Sequence, residues 1–246
     1  MAAGLSRIFW WHRQVGENLW VGFTNASAGN LALHVGDDPA AVRSRRAALE
    51  SVMCVPSGSL RFMNQVHSAV VADASSPADP DAPDPSAPTA DGLLSRDGKA
   101  PLAVLVADCM PVLLAGAGTG GEPVTAAVHA GRKGLLDGIL PAAVARMHAA
   151  GATDLAAWIG PCVCGSCYEV PAAMQAAAAA LLPATASRTR GGTPALDLPA
   201  GAQAQLGSLG VRVERIPGCT LENEQLSSHR RDPASGRIAG VIWRRG

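Results

Sequence analysis

One thiol and two imidazoles stand in three information-rich segments of the chain. They are His67 in Asn64-Gln65-Val66-His67, Cys109 in Val106-Ala107-Asp108-Cys109-Met110-Pro111, and His129 in Ala127-Val128-His129-Ala130-Gly131. Together they make a three-ligand zinc set that leaves a fourth position for water or substrate. An open set of that kind is catalytic rather than structural. The three residues lie far apart in sequence and show no zinc-finger spacing, so the set forms only if three strand ends converge.

Two rivals claim the same atoms. Blue copper also uses two histidines and a cysteine, with Met110 as a tempting axial thioether. Such copper ligands cluster on one β-sandwich, whereas helical segments separate the strands here. A multicopper oxidase would also need a trinuclear histidine cluster, and the chain has six histidines in all. The second rival is a cysteine hydrolase with Cys109 as nucleophile and His129 as base, which requires hydrogen-bond contact between them. A zinc-bound thiolate would not serve as that nucleophile.

The elements that must position these residues are legible as patterns. Residues 19–35 read as strand and turn. Asp38 followed by Pro39 is a helix start, and the helix runs to about Met53. A short strand is expected around Leu60–Met63. Residues 73–90, with five prolines among Ala, Asp and Ser, read as an extended, solvated loop. It is either a lid over the site or, more simply, a tolerated surface insertion. Leu102–Ala107, Val112–Ala115 and Val124–Val128 are short apolar runs that read as buried strands. Leu135, Ile139, Ala143 and Met147 mark a helix, in which Pro141 predicts a kink or a late start. Leu155–Ile159, Val211–Ile216 and Ile238–Trp243 read as strands, Pro171–Leu182 and Pro199–Leu209 as helices. The fold class expected is α/β or α+β, a single compact domain over 1–246.

Composition narrows the function. The 246 residues are 48% hydrophobic and 16% charged, as a globular chain requires. Twenty basic and twenty acidic residues give zero net charge, which removes the general electrostatic case for nucleic acid or a membrane surface as partner. The opening residues lack an apolar core of signal-peptide length, and Val170–Ala184 is too short to span a bilayer. The expected location is the cytoplasm. Six cysteines then read as thiols or metal ligands rather than as a disulfide frame. Cys162, Cys164 and Cys167 offer donors for a second metal, but they lack a nearby histidine and sit in a tight Gly/Pro turn, so they read first as unligated thiols beside the pocket. Cys54 and Cys219 read as structural.

Anion handling has two candidate places. Gly131-Arg132-Lys133-Gly134 opens a helix and offers backbone N–H groups beside two cations. Ser228-His229-Arg230-Arg231-Asp232 supplies a second basic pair suited to phosphate or carboxylate. The plain alternative pairs Arg231 with Asp232 or Glu224.

Taken in order, the blocks His34-Val35-Gly36-Asp37-Asp38-Pro39, Asn-Gln-Val-His, Ala90-Asp91-Gly92, Ala107-Asp108-Cys109-Met110-Pro111-Val112, Val128-His129-Ala130-Gly131-Arg132, Ile159-Gly160-Pro161 with Cys167-Tyr168-Glu169-Val170, and Ser228-His229-Arg230-Arg231-Asp232 with Gly236-Arg237-Ile238-Ala239 form a specific set. The chain resembles the laccase-domain family, once called multicopper polyphenol oxidases and now regarded as purine nucleoside phosphorylases. The resemblance runs from about Trp20 to Trp243. It implies Zn2+ held by His67, Cys109 and His129, and a compact fold of sheets layered against helices. It also implies phosphorolysis of adenosine, inosine or guanosine, related activity on methylthioadenosine, and hydrolytic deamination of adenosine. Bacterial members are further linked to the editing of cell-wall precursor errors. The expected partners are purine nucleosides and phosphate. Asp108 and Glu169 are the candidate proton shuttles. Asn64, Arg132, Lys133 and Arg230 are the candidates for substrate and phosphate.

Two departures from the family pattern stand out. Thr24-Asn25-Ala26 replaces a Thr-Thr-Arg, which removes an arginine at Ala26. Leu31-Ala32-Leu33 stands where an Asn-Leu-Gly is usual, which reads as the loss of an asparagine at Ala32. Either loss is expected to weaken catalysis or alter the substrate, and together they leave a non-catalytic zinc or nucleotide-binding module as an alternative reading.

Overall fold

The computed structural model describes residues 7–245. Residues 1–6, on which part of the signal-peptide reading rests, lie outside the described residues. Two sheets carry the fold. Strands β1 (Phe9–Gln14), β2 (Leu19–Thr24), β12 (Ile238–Arg244) and β5 (Leu102–Val106) form an antiparallel sheet in that spatial order. Strands β11 (Arg212–Arg215), β8 (Thr153–Ile159), β6 (Met110–Ala117), β7 (Pro123–Ala130), β4 (Gly92–Ser95) and β3 (Val71–Asp73) form the second. In it only the outermost pairs, β11 with β8 and β3 with β4, are parallel. A small ribbon pairs β9 (Ala186–Arg188) with β10 (Pro194–Leu196).

Strand alternation explains why the central strands read as unbroken apolar runs. On β5, Leu102, Val104 and Val106 face the space between the sheets, while Ala103 and Leu105 face outward. The outward side is covered by helix α1 (Pro39–Met53), whose Leu49 and Met53 pack on Leu105, Val241 and Trp243. On β6, Leu113 faces the first sheet, while Val112 and Leu114 face helices α3 (Ile139–Ala149) and α5 (Leu198–Ser208). The result is four layers, helix–sheet–sheet–helix, with apolar side chains on both faces of each sheet. This is the mixed α/β class expected.

Local signals set the helix ends. The Asp38 carboxylate accepts from Ala40 N at 3.0 Å, and Pro39 occupies the first turn. The helix after His129 divides. A single turn, α2 (Arg132–Leu136), ends at Asp137, and α3 restarts behind Gly138. Pro141 thus sits in the first turn of α3, where its missing N–H costs nothing: the late start, not the kink. Helix α4 (Ala172–Leu181) matches the expected span. Among the described residues no helix is long and apolar enough to cross a membrane.

Two expectations need correction. Leu60–Met63 forms no strand of its own. It runs beside the outer edge of β5, paired only through Arg61 and Leu102. Segment 73–90 is not a freely solvated loop. Asp84, Ala87 and Ala90 are buried, and Arg46 ties Asp84 at 2.7 Å while stacking on Phe62. Its prolines remove N–H donors but do not prevent packing, because side chains elsewhere satisfy its carbonyls. Strands β1, β3, β4, β9 and β10 were not anticipated, since short segments paired at an edge or in a ribbon carry little periodicity.

Candidate metal centre

Cys109 sits where the chain leaves one sheet for the other, between β5 and β6. Asp108 makes that crossing with φ +81°, a conformation that Asp tolerates better than most residues. Its carboxylate accepts from Thr220 Oγ1 at 2.6 Å and from Arg230 N at 2.8 Å. Its carbonyl accepts from Val163 N at 3.0 Å. Both oxygens of this expected proton shuttle are therefore engaged in fixing the crossing.

His67 arrives on a loop pinned residue by residue. Asn64 Nδ2 donates to the carbonyls of Asp84 and Ala87, both at 2.9 Å, and Asn64 Oδ1 accepts from Asp84 N. Gln65 grips the free edge of β5 with both ends of its amide, Nε2 donating to Leu105 O and Oε1 accepting from Leu105 N. His67 itself has φ +61°. For a non-glycine residue this is a strained state of the kind that collects at functional sites.

The residue that holds this strain is Asp91, at 0% exposure. Its carboxylate accepts from the backbone N–H groups of Val66, His67 and Ser68, and from Ser68 Oγ. It also bonds His129 Nδ1 at 2.7 Å, while Asp91 O accepts from His129 N. One buried carboxylate therefore fixes two of the three candidate ligands. It orients His129 through Nδ1, as the partner of a ligating histidine would, and leaves Nε2 for a metal. Asp91 was legible only as the centre of Ala90-Asp91-Gly92 and was not singled out as a site residue.

The convergence expected does occur. Ligand atoms of His67, Cys109 and His129 lie within 4.8 Å of one another. Cys109 Sγ and His67 Nε2 are 3.6 Å apart, and the two rings meet edge to face at 4.7 Å. Tetrahedral Zn–S and Zn–N bonds of about 2.3 and 2.0–2.1 Å place sulfur and nitrogen about 3.6 Å apart, so the donor set suits that ion. Gly131 closes one side of the set. A Cβ there would stand 2.7 Å from His67 Cδ2 and 3.1 Å from Cys109 Sγ. Its need is for space, not for an unusual backbone angle.

Electrostatics favour a ligating thiolate. Burial opposes ionisation of Cys109, but the imidazoles of His129 and His67 outweigh it and bring its pKa down to about 6. Burial likewise opposes a charged His129, yet Asp91 and Cys109 lift it to about 9. Asp91, penalised by burial but held by His129 and Ser68, falls to about 2.

The three residues open on a cavity of about 230 Å³, whose other walls include His34, Gln65, His229 and Arg237. Cavities of about 630 and 590 Å³ lie elsewhere and present neither histidine nor cysteine. Several expected site residues do not line the metal cavity. Lys133 pairs with Asp137 at 2.5 Å on the outside of α2. Arg132 begins that five-residue helix. Arg230 stacks 4.5 Å over Tyr168, and Glu169 is exposed beside Ala195. Arg231 pairs with neither Asp232 nor Glu224. Its guanidinium donates to the carbonyls of Thr220, Leu221, Asn223 and Leu226. His34, His229 and Arg237 are the polar residues missed. The blocks that contain His34, His229 and Arg237 were the available signal.

The asparagine read as lost at Ala32 is present two residues earlier. Asn30 Oδ1 accepts from Ala32 N and from Arg237 N, both at 3.0 Å, and Asn30 Nδ2 donates to Asp37 and Ala32. It ties the strand-end turn before His34 to the segment carrying Arg237.

A model of the family described as multi-copper polyphenol oxidoreductase laccase matches residues 15–245. A Streptomyces coelicolor protein named purine nucleoside phosphorylase is 45% identical over 217 residues, 87% of each chain. A Mycobacterium tuberculosis protein of the same name is 43% identical over 217 residues, 87% of this chain and 84% of its own. A Neisseria meningitidis crystal structure superposes with a TM-score of 0.78 at 30% identity, covering 94% of this chain and 96% of the other. YlmD from Geobacillus stearothermophilus superposes at 0.79 with 27% identity, covering 98% and 100%. With the crossing, the pinned histidine loop and the Asp91 anchor all in place, these matches over nearly the whole length establish that the chain belongs to the laccase-domain family.

Proposed function

We propose that the protein is a zinc-dependent purine nucleoside phosphorylase that also deaminates adenosine. The observation that carries this reading is the convergence of His67, Cys109 and His129 on one cavity wall, with Arg237 on the same cavity, in a chain whose relatives bear that enzyme's name. A bound zinc would supply a Lewis acid and lower the pKa of water toward neutrality. Copper oxidase chemistry finds little support. Among the described residues only two groups have metal-ligating composition, and neither is a histidine cluster.

The chain's own residues divide the work. Asp91 holds His129 by Nδ1, so Nε2 is the nitrogen offered to the metal. Arg237 is the phosphate ligand we assign. Its Nη1 is held by the carbonyls of Ser235 and Gly236, and its guanidinium suits bidentate anion binding. It takes the place left by the arginine absent at Ala26 and by Arg132, Lys133 and Arg230, which do not line the cavity. Phosphorolysis needs a proton on the departing purine, because a neutral base leaves more easily than an anion. His34 and His229 are the cavity groups able to carry it. His34 is held below its ordinary pKa, first by burial and then by Arg237 and Arg46. Asp108 is assigned to holding the crossing that carries Cys109, and Glu169, exposed and off the cavity, is assigned no part in proton transfer.

Mass spectrometry of the products tests this reading. Adenosine and inosine are incubated with the protein, with and without phosphate, and with Cys109→Ala and Arg237→Ala. Phosphate-dependent free base and ribose 1-phosphate are expected, with inosine formed from adenosine when phosphate is omitted. Absence of turnover in zinc-loaded protein would overturn it.

A second reading has one observation in its favour: Cys109, His129 and Asp91 also stand in the order nucleophile, base and orienting carboxylate. A cysteine hydrolase predicts rapid alkylation of Cys109 that added zinc does not slow. The metal reading predicts protection.

A further inference from the structure

Cys164, Cys167 and Cys219, read from sequence as unligated or structural thiols, do not lie apart. Their sulfur atoms and a carboxylate oxygen of Glu222 are all within 4.8 Å of one another. None of the three is in a disulfide. The cluster is built from two matching turns. Cys164-Gly165-Ser166-Cys167 and Cys219-Thr220-Leu221-Glu222 each place a donor at the first and fourth position. In the first, Cys167 N and Tyr168 N both donate to Cys164 O at 3.0 Å. In the second, Asn223 N donates to Cys219 O at 3.0 Å. Such turns aim the two donors of each pair at one point.

The turns are also fastened to each other. Cys162 and Cys219 pair as an isolated bridge, and Thr220 N donates to Cys162 O at 3.1 Å. Cys164 N lies 3.5 Å from Cys219 Sγ and donates to it. Backbone N–H groups directed at sulfur stabilise a thiolate. Cys162 itself is buried and outside the cluster. Arg190 neutralises part of the charge, pairing with Glu222 Oε1 at 2.5 Å.

We propose that Cys164, Cys167, Cys219 and Glu222 form a second, four-ligand metal site that takes Zn2+. Three soft thiolates select against hard cations such as Mg2+ and Ca2+. Four donors on paired two-residue spacings make the closed arrangement of a structural zinc site. Its place in the fold gives it a task. One turn carries Thr220 and the other follows Val163, and both of these bond Asp108 at the crossing that presents Cys109. A metal here would clamp the two loops behind the first site without touching its ligands.

The test separates the two sites. The full chain is purified under reducing conditions, and zinc is counted per chain by mass spectrometry. Cys109→Ser is expected to retain one tightly bound equivalent. Adding Cys167→Ser and Cys219→Ser to it should leave none. Co2+ loaded into the Cys109→Ser chain should give sulfur-to-metal charge transfer of three-thiolate intensity. In the wild-type chain, zinc should shield Cys164, Cys167 and Cys219 from alkylation until a chelator is added, a readout that needs no variant to fold. Stripping the metal from the Cys109→Ser chain should lower Tm by several degrees. The proposal is overturned if the reduced Cys109→Ser chain binds no zinc, or if its zinc survives loss of Cys167 and Cys219. It is also overturned if the three thiols alkylate equally with and without zinc, or if peptide masses show Cys164 and Cys167 joined as a disulfide. Failure of the phosphorylase reading would leave all these outcomes unchanged.

Discussion

The two cysteine-bearing clusters differ in how the chain assembles them. His67, Cys109 and His129 come from three distant segments brought together at the junction of two sheets, and a buried carboxylate, Asp91, holds the arrangement. Cys164, Cys167, Cys219 and Glu222 come from two local turns tied by a few backbone bonds. The first set has three donors and borders a cavity. The second has four donors and, once filled, no free position. An open set leaves room for substrate, whereas a closed one contributes folding energy. Precision in the first depends on the packed core. Precision in the second depends on loop spacing.

The largest effect expected is at the open set. Cys109→Ala removes a ligand and should abolish turnover while leaving the fold intact, as read by product formation beside circular dichroism. Asp91→Asn comes next. It breaks the hydrogen bond that orients His129, and changes of this kind cost roughly 10–100-fold in metal affinity. The same substitution leaves N–H donors of the His67 loop poorly matched, so Tm should also fall. If zinc affinity is unaffected, the claim that this carboxylate organises the site is broken. Gly131→Ala should follow. The added methyl must displace His67 or Cys109, and cobalt spectra should report altered ligation with little loss of secondary structure.

The closed set should respond in the opposite sense. Cys167→Ser should leave turnover unchanged well below the transition and lower Tm. At about 2–4 °C per kcal/mol for a chain of this size, a shift of several degrees corresponds to a few kcal/mol. Progressive chelation sharpens the contrast, since turnover should vanish before the Tm shift appears if the open site releases its metal first.

The smallest effect is electrostatic and lies outside both clusters. Burial disfavours the Asp84 carboxylate, but Ser86 and Arg46 outweigh it and hold its pKa below the ordinary 3.8. A depressed folded-state pKa contributes stability that is complete above the unfolded value and is lost as pH falls through the folded one. Urea midpoints should therefore drop in acid as pH falls below about 4. Asp84→Asn should flatten that slope.

Much of this was legible in order of residues. Asp38 and Pro39 announced α1, the apolar runs announced β5 to β8, and the three ligand segments could be picked out as His67, Cys109 and His129. The reasons are local: capping, periodicity and residue chemistry act over a few positions. The Pro-rich segment misled for the same reason, because composition does not show that Asn64 and Arg46, from elsewhere in the chain, would hold it. Arg132 and Lys133 were chosen as cations in a glycine-flanked turn at a helix start, and Arg230 as half of a basic pair. Which cation faces the cavity depends instead on where the strands end, and that is Arg237.

By itself, then, the sequence determined the layered α/β class, the helix starts, and which side chains have the chemistry to bind a metal. The tertiary structure alone decided that Asp91 anchors two ligands at once, that Asn30 joins the His34 turn to Arg237, and that Cys219 and Glu222 meet Cys164 and Cys167. Each of these is a contact between residues far apart in the chain. Such contacts follow from how sheets and loops pack, and no local pattern of residue types records them.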